Sequence, residues 1–195
     1  MARREDCRMT VDEDLLRRVD RLESLDAIRQ LASRYGELLD RRDLDGVAEM
    51  FVDDVRVTRT ERGRAALRTS LEEQCRRFST SIHMIGNHRI DFVDDDHAEG
   101  LVYGRCEQEY GDRWIILAVQ YWDRYERRDG RWFFTGRQLH HWYAVDVLER
   151  PTGPDKTRWP ALGREHDVPE RYDSWQQFWA QPPGFDRVGS PKPPS

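Results

Sequence analysis

The apolar period of this chain changes once, and that change limits the folds open to it. Up to Phe78 the large apolar residues recur every three or four positions, and from Ser81 they alternate. Four alternating runs, 81–92, 98–110, 114–127 and 131–146, are separated by VDDDH, YGDR and RRDG, connections that suit hairpins. Strands joined in that way pair antiparallel. The chain therefore reads as α+β, with helices first and then a mainly antiparallel sheet that curls over them to bury its apolar face.

In the helical part, Leu15, Val19, Leu22, Leu25, Ile28, Leu31, Tyr35 and Leu38 keep helical spacing from Asp12 to about Arg41. Ser24 is placed to cap a main helix apart from a leading one. Asp43 caps a short second helix over LDGVAEMF, VRVTRT alternates as a short strand, and a third helix after Gly63 carries Ala66, Leu67, Leu71, Cys75 and Phe78. From Leu148 onward Pro and Gly become frequent, yet Trp159, Tyr172, Trp175, Phe178 and Trp179 remain. Disordered tails are poor in such side chains. Residues 1–147 thus read as one domain with a helical N-terminal extension. Residues 148–195 read as an extension packed on that domain or on a neighbouring subunit, with about the last ten residues free.

A net charge of −5 offers no basic footprint for nucleic acid. MARREDCRMT has no apolar leader region, and no run approaches the roughly 18 apolar residues of a membrane span, so a cytoplasmic location is expected. Cys7, Cys75 and Cys106 are widely spaced without a CxxC, which points to reduced thiols.

GxGxxG, Walker, GxSxG and HExxH motifs are absent. His83 and His88 are five apart in a strand and are expected on opposite faces, so they share no metal, and the adjacent His140-His141 is in the same position. His88, beyond the Gly86-Asn87 break, reads as a surface or structural residue. What stands out is polar residues where apolar ones are expected. Asp40 closes the main helix after Leu38-Leu39 and reads as a solvated helix-end acid or as a functional one. Tyr35 lies on an apolar helix face, and His83 stands between Ile82 and Met84. In the last strand Arg137 and His141 share a face with Phe133, Leu139, Tyr143 and Val145, while His140 and Trp142 point the other way. Met84, Met50, Phe51, Leu101, Trp122 and Tyr143 read as ordinary core or as pocket walls.

Three stretches, AIRQLASRYGELLDRRDLDGVAEMFVDDVRV, SIHMIGNHRIDFVDDDHAEGLVYG and YWDRYERRDGRWFF, resemble the SnoaL-like branch of the nuclear transport factor 2-like (NTF2-like) superfamily. The resemblance spans about residues 10 to 146 and is strongest to its lyases: scytalone dehydratase, hexachlorocyclohexane dehydrochlorinase and bile-acid 7α-dehydratase. It implies a cone-shaped NTF2-like half-barrel, three N-terminal helices packed on a strongly bent sheet around an apolar pocket. In those lyases an Asp at the end of the first long helix pairs with a His on the first long strand, at the positions of Asp40 and His83. The bile-acid enzyme has a tyrosine at the position of Tyr35, and its last-strand arginine falls at His141. The dehydrochlorinase has a lysine in place of Tyr35 and an arginine at Arg137. The second histidine of scytalone dehydratase is replaced here by Gln108, a departure that argues against the same substrate.

The resemblance implies a lyase, of dehydratase type, or an isomerase that needs no metal or organic cofactor. Its substrate would be a hydrophobic polycyclic, polyketide or steroid-like small molecule. His83 would be a neutral general base oriented by Asp40. Tyr35 and Arg137 would donate to the charge that develops, and His141 would be the general acid. A homo-oligomer is expected, a trimer rather than a dimer, with a C-terminal segment over the pocket mouth. Two rival readings share the fold: a polyketide cyclase led by Asp40, and a non-catalytic binding or oligomerisation module, which would lack a working Asp-His pair.

Overall fold

Helix α1 (Val11–Asp40) opens with Asp12, Glu13 and Asp14, acids that complement the positive end of the helix dipole. The computed structural model describes residues 11–153, 155–158 and 166–181. The buried residues of α1 are Ser24, Ile28, Ala32, Gly36 and Leu39, one stripe at three- and four-residue spacing. Ser, Ala and Gly in that stripe let the helix lie close to the sheet. Ser24 does not divide the helix. It sits inside a continuous run and is buried, because no residue on either side of it breaks helical geometry. The half before it stands largely in solvent, with Val11, Leu15, Leu16 and Leu22 all more than half exposed.

Helix α2 (Leu44–Glu49) is capped as its sequence predicts, with the Asp43 carboxylate accepting the Gly46 N–H at 3.0 Å. VRVTRT does not join the sheet. It makes only an isolated bridge, Arg56 to Arg62, with its own return. Helix α3 (Arg64–Cys75) then buries Leu71 and Cys75.

Strands β1 (Ser81–Phe92), β2 (His97–Tyr110), β3 (Arg113–Arg128) and β4 (Arg131–Asp146) form an antiparallel sheet in the order β1-β2-β3-β4. Residues directly opposite in such a sheet share a face. The inner face, toward the helices, carries the rows His83–Cys106–Leu117, Ile90–Gly100–Asp123–Arg137 and Phe92–Ala98–Tyr125–Phe134. Tyr125, Phe134, Phe51 and Ile28 form the centre of the larger core cluster between this face and the helices. Burying a side chain such as Phe134 or Ile28 contributes roughly 1.5–3 kcal/mol.

Three bulges bend the sheet and reset which way its side chains point. Between Ile85 and His88 the partner strand advances only from Gly104 to Val102, so β1 holds one extra residue at Gly86-Asn87. His88 is thereby turned to the inner face, the same face as His83, against the expectation of opposite faces. In β4, Thr135 and Trp142 have no partner. Arg137, Leu139 and His141 stay together on the inner face as expected, but Phe133, Tyr143 and Val145 are turned to the outer one.

The described part of the C-terminal extension packs on the domain. Residues 155–158 run beside β4 through a parallel bridge from Ala144 to Thr157. Before helix α4 (Asp173–Ala180), the Tyr172 hydroxyl donates to Gln120 Oε1 at 2.6 Å. Asp167 accepts from the His140 ring at 2.5 Å and from the His141 amide at 3.0 Å. Gln120 and His140 are opposite each other on the outer face, so these residues cover the back of the sheet and not the mouth of an inner pocket. Trp159 and the final residues lie outside the described ones. No helix among the described residues is long and apolar enough to cross a membrane.

Candidate active site

Asp40 is the last residue of α1, and Gly36, one turn earlier, lies against His83 of β1. That close approach brings the carboxylate onto the strand. Asp40 Oδ1 is 2.6 Å from His83 Nδ1 and accepts the Ser81 hydroxyl at 2.8 Å, while Oδ2 accepts the His83 backbone N–H at 2.8 Å. Arg42 Nη1 donates to the Ser81 hydroxyl at 2.8 Å and to the Leu39 carbonyl at 2.8 Å, bracing the end of the helix. The His83 side chain is 8% exposed and that of Asp40 25%. With Nδ1 engaged by Asp40, Nε2 is the ring nitrogen available for proton transfer, with Cys106 also within hydrogen-bonding reach of the ring. Burial works against the imidazolium, but the hydrogen bonds with Asp40 and Cys106 outweigh it and push His83 up to about 9. Burial also pushes the Asp40 carboxyl up, and the bonds from His83 and Ser81 overcome this and hold it below its ordinary value. The raised His83 value favours the imidazolium, so Nε2 must lose its proton before His83 can act as the base expected from the sequence.

A second polar group occupies the same face. Arg137 donates through Nε and Nη2 to the two oxygens of Asp123 at 2.8 and 2.7 Å, with the Asp123 side chain wholly buried and that of Arg137 4% exposed. Its guanidinium lies 4.3 Å from the ring centres of both Tyr35 and Tyr121 and 4.6 Å from that of Phe134. The third nitrogen, Nη1, is buried and has no hydrogen-bond partner. Burial, partly offset by Arg137, pushes the Tyr35 phenol up to about 12, so it remains a protonated donor. The Tyr125 hydroxyl donates to Asp123 Oδ2 at 2.7 Å and lies 3.2 Å from His88 Nε2. Burial, with Arg137 and Arg29 nearby, pushes His88 down to about 4 against the pull of Asp123.

The sequence-predicted residues divide. Asp40 and His83 meet, Tyr35 and Arg137 stack, and His141 is buried on the inner face beside Val119. Phe51 packs its ring against Phe134 and edge-on to Tyr35, and Gln108 lies on the inner face opposite Ser81, with its Oε1 buried and without a hydrogen-bond partner. Met84, Leu101, Trp122 and Tyr143 are instead on the outer face. Met84 neighbours His83 in the strand and so points away from it, and the Trp142 bulge turns Tyr143 outward. Asp123, Tyr125 and Cys106 were missed. Asp123 was findable, because an acid between Tyr121 and Tyr125 on the alternation Ile115, Leu117, Val119 is an acid at a core position and needs a cation. Cys106 is directly opposite His83, its Sγ 3.5 Å from the Tyr121 hydroxyl.

Two surface cavities lie elsewhere. One of about 480 Å³ flanks the first half of α1 beside Arg17, Arg21, Leu22 and Phe92. The other, of about 300 Å³, is on the outer face between Leu101, Trp122, Gln138 and Tyr172, with Gly100 and Asp123 also in its wall. Neither is lined by a histidine, whereas the inner face holds a buried acid–base pair, and chemistry belongs with the latter. Among the described residues no three His, Cys, Asp or Glu side chains are grouped to hold a metal ion.

A SnoaL-like domain profile matches residues 20–138. The gamma-hexachlorocyclohexane dehydrochlorinase of Sphingobium indicum is 33% identical over 128 residues, which is 61% of this chain and 81% of that protein. Among solved structures, a type-3 hexachlorocyclohexane dehydrochlorinase from Novosphingobium barchaimii is 27% identical with a TM-score of 0.62, covering 68% of this chain and 95% of the other. A protein of Novosphingobium aromaticivorans provisionally named a scytalone dehydratase is 28% identical with a TM-score of 0.59, over 67% and 92% of the two chains. These likenesses agree with the α+β fold and with the resemblance read from the sequence.

Proposed function

The chain belongs to the SnoaL-like family of the NTF2-like superfamily, and from that premise we propose that it is a lyase that eliminates water or a halide from a small, hydrophobic, uncharged substrate. The observation that carries this reading is the buried Asp40–His83 contact of 2.6 Å on the sheet face that also presents the open Nη1 of Arg137. Dehydrochlorinase and dehydratase names among the relatives support the class of reaction.

His83 Nε2, once deprotonated, takes a proton from a substrate carbon. The C–H electron pair becomes a C=C bond, and the neighbouring C–O or C–halogen bond breaks with its pair leaving on the oxygen or halide. Asp40 fixes the tautomer and balances the imidazolium that forms. Arg137 Nη1 and the Tyr35 hydroxyl donate to the developing negative charge, and His141 protonates a departing hydroxide. With the ring pushed up to about 9, about 1% of it is in the base form at pH 7, so the rate follows hydroxide concentration through the neutral range. Asp123–Arg137 is neutral as a pair, and Asp40–His83 is neutral while the ring is protonated and negative once it is the base, which favours an uncharged substrate over a carboxylate or phosphate. The chain supplies base, orienting acid and charge stabiliser from its own side chains, so the reading needs no organic cofactor.

The test is turnover of γ-hexachlorocyclohexane and of cyclic β-hydroxy ketones, read as chloride release or enone absorbance. His83→Ala and Asp40→Asn are each expected to lower kcat by about two to four orders of magnitude with the fold intact. Near-normal rates in both variants on a substrate the wild type turns over would end the proposal.

A further inference from the structure

We propose that His88 is a positioning residue for Arg137, acting through Tyr125 and Asp123 along a directional hydrogen-bond chain that its Nε2–H begins. The role of Arg137 in elimination rests on the function proposed above, but the chain itself does not.

The β1 bulge aims His88 inward, a known use of bulges beside functional sites. Tyr125 has one hydroxyl proton, and the 2.7 Å contact assigns it to Asp123 Oδ2. Its oxygen therefore accepts across the 3.2 Å gap to His88, and His88 must carry its proton on Nε2. Asp123 in turn holds Arg137 by two N–H groups at 2.8 and 2.7 Å. Among the described residues the guanidinium is held by its two bonds to Asp123, with the Tyr125 hydroxyl also in contact, so the orientation of that carboxylate helps to set where the open Nη1 points. If His88 were protonated on Nδ1 instead, its Nε2 lone pair would draw the Tyr125 proton, and Asp123 would lose the contact that steadies it. Burial keeps the ring uncharged at neutral pH, so His88 adds no second cation beside Arg137.

Gly100 gives an independent sign that this path is built. A Cβ at that position would lie 2.7 Å from Tyr125 Cε2, 2.9 Å from the Tyr125 hydroxyl and 3.0 Å from His88 Nε2. The His88–Tyr125 contact passes through the space that only glycine leaves there.

One arm of the test needs no substrate. In ¹⁵N-labelled wild-type protein at pH 7, His88 is expected to be protonated on Nε2 and not on Nδ1, and Tyr125→Phe is expected to abolish that preference. A charged or Nδ1-protonated His88, or an unchanged preference in Tyr125→Phe, overturns the proposal. The second arm uses γ-hexachlorocyclohexane or whichever β-hydroxy ketone the wild type turns over. His88→Leu is expected to lower kcat about tenfold at unchanged KM, while His88→Gln, which restores an N–H donor, stays within about threefold of wild type. In an Arg137→Lys background His88→Leu is expected to cost less than about twofold. Wild-type turnover by His88→Leu, or an undiminished loss in the Arg137→Lys background, overturns the positioning role. Full activity of His83→Ala would remove the elimination base and leave the His88 chain to be judged by its tautomer.

Discussion

Gly36 of α1 and His83 of β1 are so close that a methyl group on the glycine would lie 2.9 Å from the histidine Cβ. Neither atom is the far end of a flexible side chain, so Gly36→Ala must move the helix or the strand. Alanine is better than glycine in a helix by about 1 kcal/mol, which offsets part of the overlap, and the protein is expected to stay folded. The Asp40–His83 contact, one turn further along, is expected to lengthen, with turnover falling about tenfold or more and the His83 pKa falling toward its ordinary value. Turnover and a histidine NMR titration check this together; a wild-type rate with an unmoved His83 pKa would show that the helix can yield freely.

The same pair makes both rate and stability depend on pH. A base whose pKa is about 9 predicts a log rate that rises with unit slope from pH 6 to 8 and levels off near 9. For stability, His83 is raised above its ordinary value, so its contribution is fully present below about 6.5 and is lost as pH climbs through about 9. Asp40 is lowered, so its contribution is present above its ordinary range and is lost as pH falls through the folded-state value. The pair stabilises by roughly 3 kcal/mol, counted once, on the plateau between. Denaturant midpoints from pH 4 to 10 measure this, and in Asp40→Asn the fall between pH 6.5 and 9 is expected to disappear, because burial alone pushes the His83 pKa down.

What could be read beforehand was the period of the side chains; what could not was its phase. Strand positions, the Asp43 cap and the meeting of Asp40 with His83 follow from spacing and from the family resemblance. The faces depend on single unpaired residues. Gly86-Asn87 gave a compositional hint of a break, and the bulge is there, but its effect is to bring His88 inward and not to release it to the surface. Thr135 and Trp142 carry no such hint, since either fits a regular strand, and so the outward turn of Phe133 and Tyr143 was hidden. Met84 was a different kind of miss, because strand alternation already sets it against His83.

The Asp123–Arg137 pair separates stability from function. Both side chains are buried, so Arg137→Met leaves an uncompensated carboxylate and is expected to cost about 3–5 kcal/mol. Combining it with Asp123→Leu removes both charges and is expected to regain most of that loss, while activity stays low because the Arg137 donor to the developing charge is gone. Chemical denaturation of the two single variants and the double variant measures the first statement, and turnover of the double variant the second. Recovery of activity in the double variant would take Arg137 out of the reaction.

Asp167 ties the C-terminal segment to the sheet through both histidines of β4, accepting from the His140 ring and the His141 amide. Asp167→Ala removes both bonds and leaves a buried imidazole without its partner, at a cost of about 1–3 kcal/mol. The loss is expected to be local: hydrogen exchange should quicken over residues 166–181, while β1, β2 and their Asp40–His83 contact keep their protection. Mass-spectrometric exchange on the variant reads this directly. Because the segment covers the outer face, kcat is expected to change by less than about threefold. A much larger loss would mean that His141, whose amide Asp167 holds, needs that anchor to keep its place on the inner face.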